Sequence, residues 1–328
     1  MKILVRLPNW LGDVVMATGF LQALQEQYPG AEIHIILKKE LAVIAEYIPE
    51  QFKTHLFSKT DFPGIKGAFQ FGRNLRKYNF ELFFSLPDSF SSALIGWATG
   101  AKKRIGYKNE LRSLLLTHVF QKERGIHRVL EYISLLAKFA SKEVSAPRTS
   151  LSIQTRATVK EKLILLNFNS EASSRRMPKE KAISLVKKIV REFPDYNIGL
   201  LGAPKELPFI QSIIAALETQ PTIINFAGKT SLKGLVELLD KCSVLLTTDS
   251  GPAHLANSIG TPTIVLFGAG NEKNTAPFNT GSLAIIRAGR LSCEPCVKNV
   301  CPLYEIPECM NQLNERLILE TLTKFVNK

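Results

Sequence analysis

No run in these 328 residues approaches the roughly 18 consecutive apolar positions that a membrane-spanning helix needs. The best candidate, near Leu11 to Leu21, is interrupted by Asp13 and Thr18. The same Asp13 spoils the N-terminus as the apolar core of a secretory signal, so the chain is expected to stay in the cytoplasm. Cysteine is scarce. There are five, an odd number with Cys242 far from the rest, which suits a reducing compartment better than a disulfide framework. Acid is short as well: 29 Asp and Glu against 42 Lys and Arg leave a net charge of +13, which predicts an anionic partner without naming it. Also missing is the dinucleotide fingerprint G-x-G-x-x-G. The first turn reads Leu7-Pro8-Asn9-Trp10-Leu11-Gly12-Asp13, and its single glycine removes the main support for a nicotinamide enzyme.

What is present is a globular composition, 45% apolar and 22% charged, and enough chain for two domains at roughly 150 residues each. Short apolar runs alternate with helical patterns. Lys2 to Leu7 reads as a strand and Val14 to Gln27 as a helix. Glu32 to Leu37 is a second strand, followed by an apolar-rich helix near Leu41 to Ile48. Glu81 to Leu86 is another, and Pro87-Asp88-Ser89 starts a helix ending at Gly100. From Ser145 to Thr155 the text loses periodicity, and the domain boundary is placed there, giving domains 1–150 and 151–328.

The alternation then resumes, with strands at Lys162 to Phe168 and in "NIGLLG", "TIINFAG", "SVLLTTD" and "PTIVLFG", separated by helices. A final helix runs from Asn311 to Val326 and is a candidate to pack back on the first domain. Strand–helix alternation means parallel sheets covered on both faces, hence two doubly wound α/β domains expected to face each other across a cleft. Ligands in such folds meet the loops after the strands.

Three of those loops carry chemistry. In the first, Asp13 sits at a helix N-terminus, where the dipole favours its ionised form; it either accepts a proton or caps the helix. In the second, Ser170 to Arg176, small hydroxyl residues stand beside Arg175, whose forked cation suits phosphate oxygens; a solvated basic turn is the alternative. In the third, Asp249-Ser250-Gly251 precedes Pro252 at a helix start, which aims backbone N–H groups at an anion such as a diphosphate. His254, one turn on, either faces the phosphates or packs.

Together "RLPNWLGDVVMATGFLQAL", "RRMPKEKA", "TTDSGPAHLANSIGTPTIVLFG" and "SCEPCVKNVCP" with "ECM" resemble the lipopolysaccharide core heptosyltransferases, ADP-heptose-dependent enzymes of glycosyltransferase family 9. The likeness runs in order from Lys2 to about Leu313, and "PNWLGD" is similar to the type II members. The resemblance implies a GT-B fold with an acceptor-binding N-terminal domain and a donor-binding C-terminal one. It implies inverting transfer of heptose from ADP-L-glycero-D-manno-heptose to the lipopolysaccharide inner core, without a metal and with no cofactor besides the substrate.

Asp13 then matches the family's base, and Asp249, Ser250, Gly251 and His254 match its donor loop. Arg175 stands where the family usually has Lys, and Met177-Pro178 where it has Trp-Pro. Glu206, in "GAPKE", falls where the family places an acid on the nucleotide sugar. Ser170, Ser174 and Thr230 are counted with the donor set, and Asn9, Trp10, Gly12, Lys102, Lys103 and Arg104 with the acceptor. The chemistry is consistent with this division: inverting displacement needs one base for the acceptor and charge stabilisation for a diphosphate that leaves without protonation.

Basic residues crowd Lys102 to Arg128 and suit a phosphorylated, lipid-linked core oligosaccharide at the anionic inner leaflet, with a solvated face as the alternative. No nucleic-acid motif accompanies them. Cys293, Cys296, Cys301 and Cys309 are spaced for either a tetrahedral metal or reduced thiols that tighten a loop. Rival readings are a family 9 transferase with another donor or acceptor, a sugar-nucleotide epimerase, and a non-catalytic basic anion-binding protein.

Overall fold

Apolar runs of four to seven residues, rich in Ile, Leu, Val and Phe, are too short for buried helices and become the strands of two parallel sheets. A computed structural model describes residues 1–48, 52–144, 148–154, 156–217 and 220–327. It divides into two units, Met1–Ser152 and Ile153–Lys328. Ser145, Ala146, Pro147 and Thr155, four residues of the stretch expected to join the domains, lie outside the described residues, as does Glu218.

The first unit holds a sheet of β1 (Lys2–Arg6), β2 (Glu32–Lys38), β3 (Lys53–Phe57), β4 (Leu82–Ser85), β5 (Lys103–Tyr107) and β6 (His118–Phe120). Their order is β3-β2-β1-β4-β5-β6, parallel throughout, so the winding reverses between β1 and β4. Its helices are α1 (Leu11–Gln27), α2 (Gly64–Leu75), α3 (Phe90–Ala98) and α4 (Arg128–Ala140). Helix α1 is apolar on nearly every side because α4 packs against it. Ser89 caps α3, its Oγ accepting from the Ser92 amide.

The second unit repeats the plan with β7 (Glu161–Asn167), β8 (Asn197–Leu200), β9 (Ile223–Asn225), β10 (Cys242–Thr248), β11 (Thr263–Phe267) and β12 (Leu283–Arg287). The order β12-β11-β10-β7-β8-β9 puts the reversal between β10 and β7. Around it lie α5 (Lys179–Glu192), α6 (Leu207–Ile214), α7 (Leu232–Lys241), α8 (Gly251–Ser258), α9 (Glu272–Thr275), α10 (Glu308–Asn311) and α11 (Glu315–Val326). Both units are thus doubly wound α/β, as the alternation predicted. Fully burying each Ile, Leu or Phe of these cores contributes about 1.5–3 kcal/mol.

Several elements differ from the sequence reading. Leu41 to Ile48 is not an α-helix: Lys39–Tyr47 forms successive 3-10 turns. The final helix is broken, α10 ending before Asn314, whose side chain caps α11. Its buried residues Ile318 and Leu322 join the second unit's own core. Strands β3, β5, β6 and β12 and helices α2 and α4 escaped notice. Strand β5 opens with Lys103 and Arg104 and is buried only from Ile105, so its charged start masked an inner strand.

Candidate active site

Ligand-facing loops of a doubly wound sheet converge where the strand order reverses, because the flanking loops there diverge to opposite faces and leave a crevice. In the first unit that point lies beyond β1 and β4. The loop after β1 is built on a buried cation. Arg6, 2% exposed, donates through Nη1 to the carbonyls of Leu7 (2.9 Å) and Ile36 (3.1 Å) and through Nη2 to Asn9 Oδ1 (2.5 Å). Burial brings its guanidinium down to about 10. Asn9, expected to bind the acceptor, therefore spends its carbonyl oxygen on fixing the loop, while Trp10 stands exposed beside it. Trp10 occupies the position that begins α1, with Gly12 and Asp13 following in the first turn. Asp13 is the third helical residue, so it does not occupy the capping position.

The Asp13 carboxylate heads a chain of alternating charges. Its Oδ1 lies 3.9 Å from Arg128 Nε. Arg128 Nη1 is 3.3 Å from Glu131 Oε1, and Lys122 Nζ is 2.9 Å from the same oxygen. Lys122 also pairs with Asp88, whose other oxygen is 3.2 Å from the buried Arg112. Arg112 in turn donates to Ser85 Oγ at 2.8 Å. Burial pushes the Asp13 carboxyl above its ordinary value; Arg128 opposes this, Glu131 adds to it, and Lys122 opposes it. The helix dipole favours the anion, but the net direction is upward, which makes the carboxylate a stronger base once ionised.

Sequence reasoning treated Lys122, Arg128 and Arg112 only as parts of a basic stretch and Asp88 only as part of a helix start. The i,i+3 pairing of Arg128 with Glu131 is the signal that was available. Conversely, Lys102, Lys103 and Arg104 do not join this group. In the parallel register Lys103 is level with Leu82, and Leu82 with Ile3, at the opening end of the strands, whereas Asp13 follows their closing end. Arg104 is a strut, donating to the carbonyls of Leu115 (2.7 Å) and Ala101 (2.8 Å).

In the second unit the reversal gathers the loops after β7 and β10. Arg175 Nη1 lies 3.1 Å from Asp249 Oδ2. Ser170 Oγ donates to the Asp249 carbonyl at 3.2 Å. Asn167 Nδ2 donates to Ser250 Oγ at 2.9 Å, and that hydroxyl donates to the Thr248 carbonyl at 3.0 Å. With Ser250 so engaged, its side chain does not cap α8, whose first turn begins with Gly251 and Pro252. His254 is buried on that helix.

Three other members of the expected donor set lie on neighbouring loops. Ser174 is buried, its hydroxyl donating to the Lys298 carbonyl and its amide to the Asn299 carbonyl (3.2 Å). Glu206, beyond β8, accepts from the Ala203 amide at 2.7 Å and so closes its own turn. Thr230 lies half-buried beyond β9, immediately before the α7 cap Ser231.

The cysteine-bearing loop is the outer support of this region. Its Val297 amide donates to the Ala269 carbonyl at 2.8 Å. Arg287 ties the neighbouring turn together, pairing with Glu272 and with Glu294 (3.1 Å) and donating to the carbonyls of Gly268 and Gly270. All five cysteines are free. Among the described residues no group of three or more His, Cys, Asp and Glu side chains is gathered to hold a metal ion. No helix among them is long and apolar enough to cross a membrane.

Comparison with known proteins identifies the family and the fold. The family model described as glycosyltransferase family 9 (heptosyltransferase) matches residues 68–306. Lipopolysaccharide heptosyltransferase 2 of Escherichia coli (strain K12) is 29% identical over 306 residues, covering 85% of this chain and 86% of its own. Lipooligosaccharide heptosyltransferase 2 of Campylobacter jejuni subsp. jejuni serotype O:6 is 27% identical over 334 residues, covering 99% of both. Among solved structures, the E. coli ADP-heptose LPS heptosyltransferase II superimposes with a TM-score of 0.81 at 24% identity, over 99% of this chain and 98% of that one. The likeness extends to the α/β GT-B fold.

Proposed function

The chain belongs to glycosyltransferase family 9, the heptosyltransferases, and from that premise we propose that it transfers heptose, with inversion, from ADP-L-glycero-D-manno-heptose to a hydroxyl of the lipopolysaccharide inner core. The first unit takes the acceptor and the second the donor. Asp13 removes the proton from the attacking hydroxyl, the new glycosidic bond forms as the bond to the diphosphate breaks, and ADP leaves with the electron pair. A diphosphate needs no protonation to depart, so cations and amides suffice on that side. Arg175 and the first-turn amides of α8 supply them, with Asp249 orienting the guanidinium and Gly251 allowing close approach.

The half-buried Asp13 carboxylate carries the reading. It stands at the reversal point of a sheet, held in a charge chain and made more basic by burial. Trp10, exposed next to it, offers a flat apolar surface to a sugar ring. Lys122 and Arg128 are the cations suited to acceptor phosphates or carboxylates near the reacting hydroxyl. The acceptor is lipid-linked, and the protein is accordingly placed at the cytoplasmic face of the inner membrane without crossing it.

Purified protein given ADP-heptose and a truncated core acceptor should add one heptose by mass spectrometry. Asp13→Ala should abolish transfer and leave ADP binding by calorimetry nearly intact. Turnover of a UDP-sugar with none of ADP-heptose would replace the donor, and retained transfer by Asp13→Ala would remove the base.

A further inference from the structure

We propose that the face formed by α2, α3 and the 3-10 segment Glu110–Leu115 is the surface by which this chain docks on an anionic lipid bilayer. The inference rests on the lipid-linked acceptor of the proposed function and assigns the docking to particular residues.

Large apolar side chains are left uncovered on this face. Ile65 is 65%, Trp97 48% and Leu114 82% exposed, with Phe90 and Leu111 exposed beside them. They are not scattered. Helices α2 and α3 pack together, and the 3-10 segment packs on α3. The Phe69 ring lies 5.8 Å from that of Trp97 and joins the two helices at the surface. Ile65 is one turn before Phe69, and Phe90 lies two turns before Trp97 on the same side of α3.

The charge around them is mainly basic. Residues 62–80 contain four basic side chains and no acid, and residues 89–109 again four basic and no acid. Arg73 stands over the Phe69 ring. Lys102, at the opening end of β5 and remote from Asp13, follows shortly after Trp97 and belongs to this rim, whereas Lys103 turns to the other side of the sheet, over the Phe139 ring of α4. Asp61, Glu81, Asp88 and Glu110 border it, Asp61 paired with Lys39 and Asp88 with Arg112 and Lys122.

An apolar centre with a tryptophan and a basic rim matches the interfacial zone of a membrane, where rings sit at headgroup level and cations meet lipid phosphates. The same rim argues against a second copy as occupant. A two-fold contact sets identical surfaces face to face, and uncompensated cations would then oppose cations.

The chain has two tryptophans, Trp10 and Trp97, which makes the test direct. Trp10→Phe leaves Trp97 as the sole reporter and Trp97→Phe leaves Trp10. With vesicles of phosphatidylglycerol and phosphatidylethanolamine, Trp97 emission should shift to the blue and be quenched by brominated acyl chains. An unmoved Trp97 emission in protein that binds these vesicles overturns the assignment. Ile65→Ser with Leu114→Ser should weaken sedimentation with the vesicles at least tenfold. Lys66→Gln with Lys77→Gln should weaken it roughly fivefold for each charge removed. Unchanged partition in both variants refutes the docking face, as does a wild-type dimer that Leu114→Ser dissociates. Both variants should retain turnover of a soluble, delipidated core acceptor. Wild-type protein that binds vesicles but does not use ADP-heptose would remove the proposed function and leave this surface standing.

Discussion

Replacing Arg128 by Met removes a charge beside Asp13 while keeping most of the side-chain stem in place. Its Nε is 3.9 Å from Asp13 Oδ1. At about 4 Å a unit-charge pair is worth about 1 kcal/mol in water and about 4 kcal/mol at the effective dielectric constant of about 20 found near protein surfaces. At about 1.4 kcal/mol per pKa unit these limits correspond to shifts of about 0.7 and 3 units. Asp13 is 25% and Arg128 35% exposed, so screening favours the lower limit. Glu131 shares the same guanidinium at 3.3 Å, which reduces the effect further.

The expected displacement is therefore about one pH unit upward. Burial already holds the Asp13 carboxyl above its ordinary 3.8, and Arg128 is the largest influence opposing that. Activity requires the ionised base, so kcat/KM should fall as pH drops through this raised value, and Arg128→Met should move that acid limb up while preserving its slope. The assay is kcat/KM against pH with a soluble acceptor. An acid limb that stays fixed or moves down would refute the electrostatic link between the two residues. Lys122→Met should move the limb in the same direction by less, because Lys122 is a weaker influence on Asp13.

Three further outcomes follow from the geometry. Arg175→Ala should weaken ADP binding by calorimetry about tenfold or more, since a charge-assisted contact to phosphate contributes roughly 1.5–3 kcal/mol; unchanged affinity would take Arg175 out of the donor site. Gly270→Ala should weaken ADP binding without unfolding the protein, because the added Cβ would lie 2.2 Å from Asp249 Oδ2 and displace the carboxylate that orients Arg175; an affinity like the wild type's would show that Asp249 does not position it. On the first sheet, His34 Nδ1 is 2.8 Å from His55 Nε2, and burial followed by the His34 and lysine charges brings His55 down to about 4 from 6.5. A histidine with a lowered folded value binds its proton more tightly when unfolded, so stability should rise between pH 4 and 6.5, by less than about 3 kcal/mol because solvent screens the half-buried ring, and level off above. Urea unfolding across that range should show the slope in the wild type and lose most of it in His55→Gln.

Much of the architecture was legible because the inner strands β1, β2, β4, β7, β10 and β11 are buried on both faces and read as unbroken apolar runs. The edge strands were harder. β3 (Lys53–Phe57) mixes lysine, threonine and histidine with two apolar residues, since its outer positions meet solvent. Helix α4 was hidden by the charges at its start, Arg128 and Glu131, which the fold turns toward Asp13.

What the sequence determined alone was the strand–helix alternation, the absence of a dinucleotide turn and the order of three polar loops, because each depends on neighbours within a few residues along the chain. Which polar groups meet was decided by the tertiary structure. Asp13 and Arg128 are 115 positions apart and Arg175 and Asp249 are 74 apart, and only the reversal of strand order brings each pair to one end of one sheet. The same parallel register carries Lys102 and Lys103 to the far end of theirs, because position along a strand, and not closeness in sequence to other cations, sets which end of a sheet a side chain reaches.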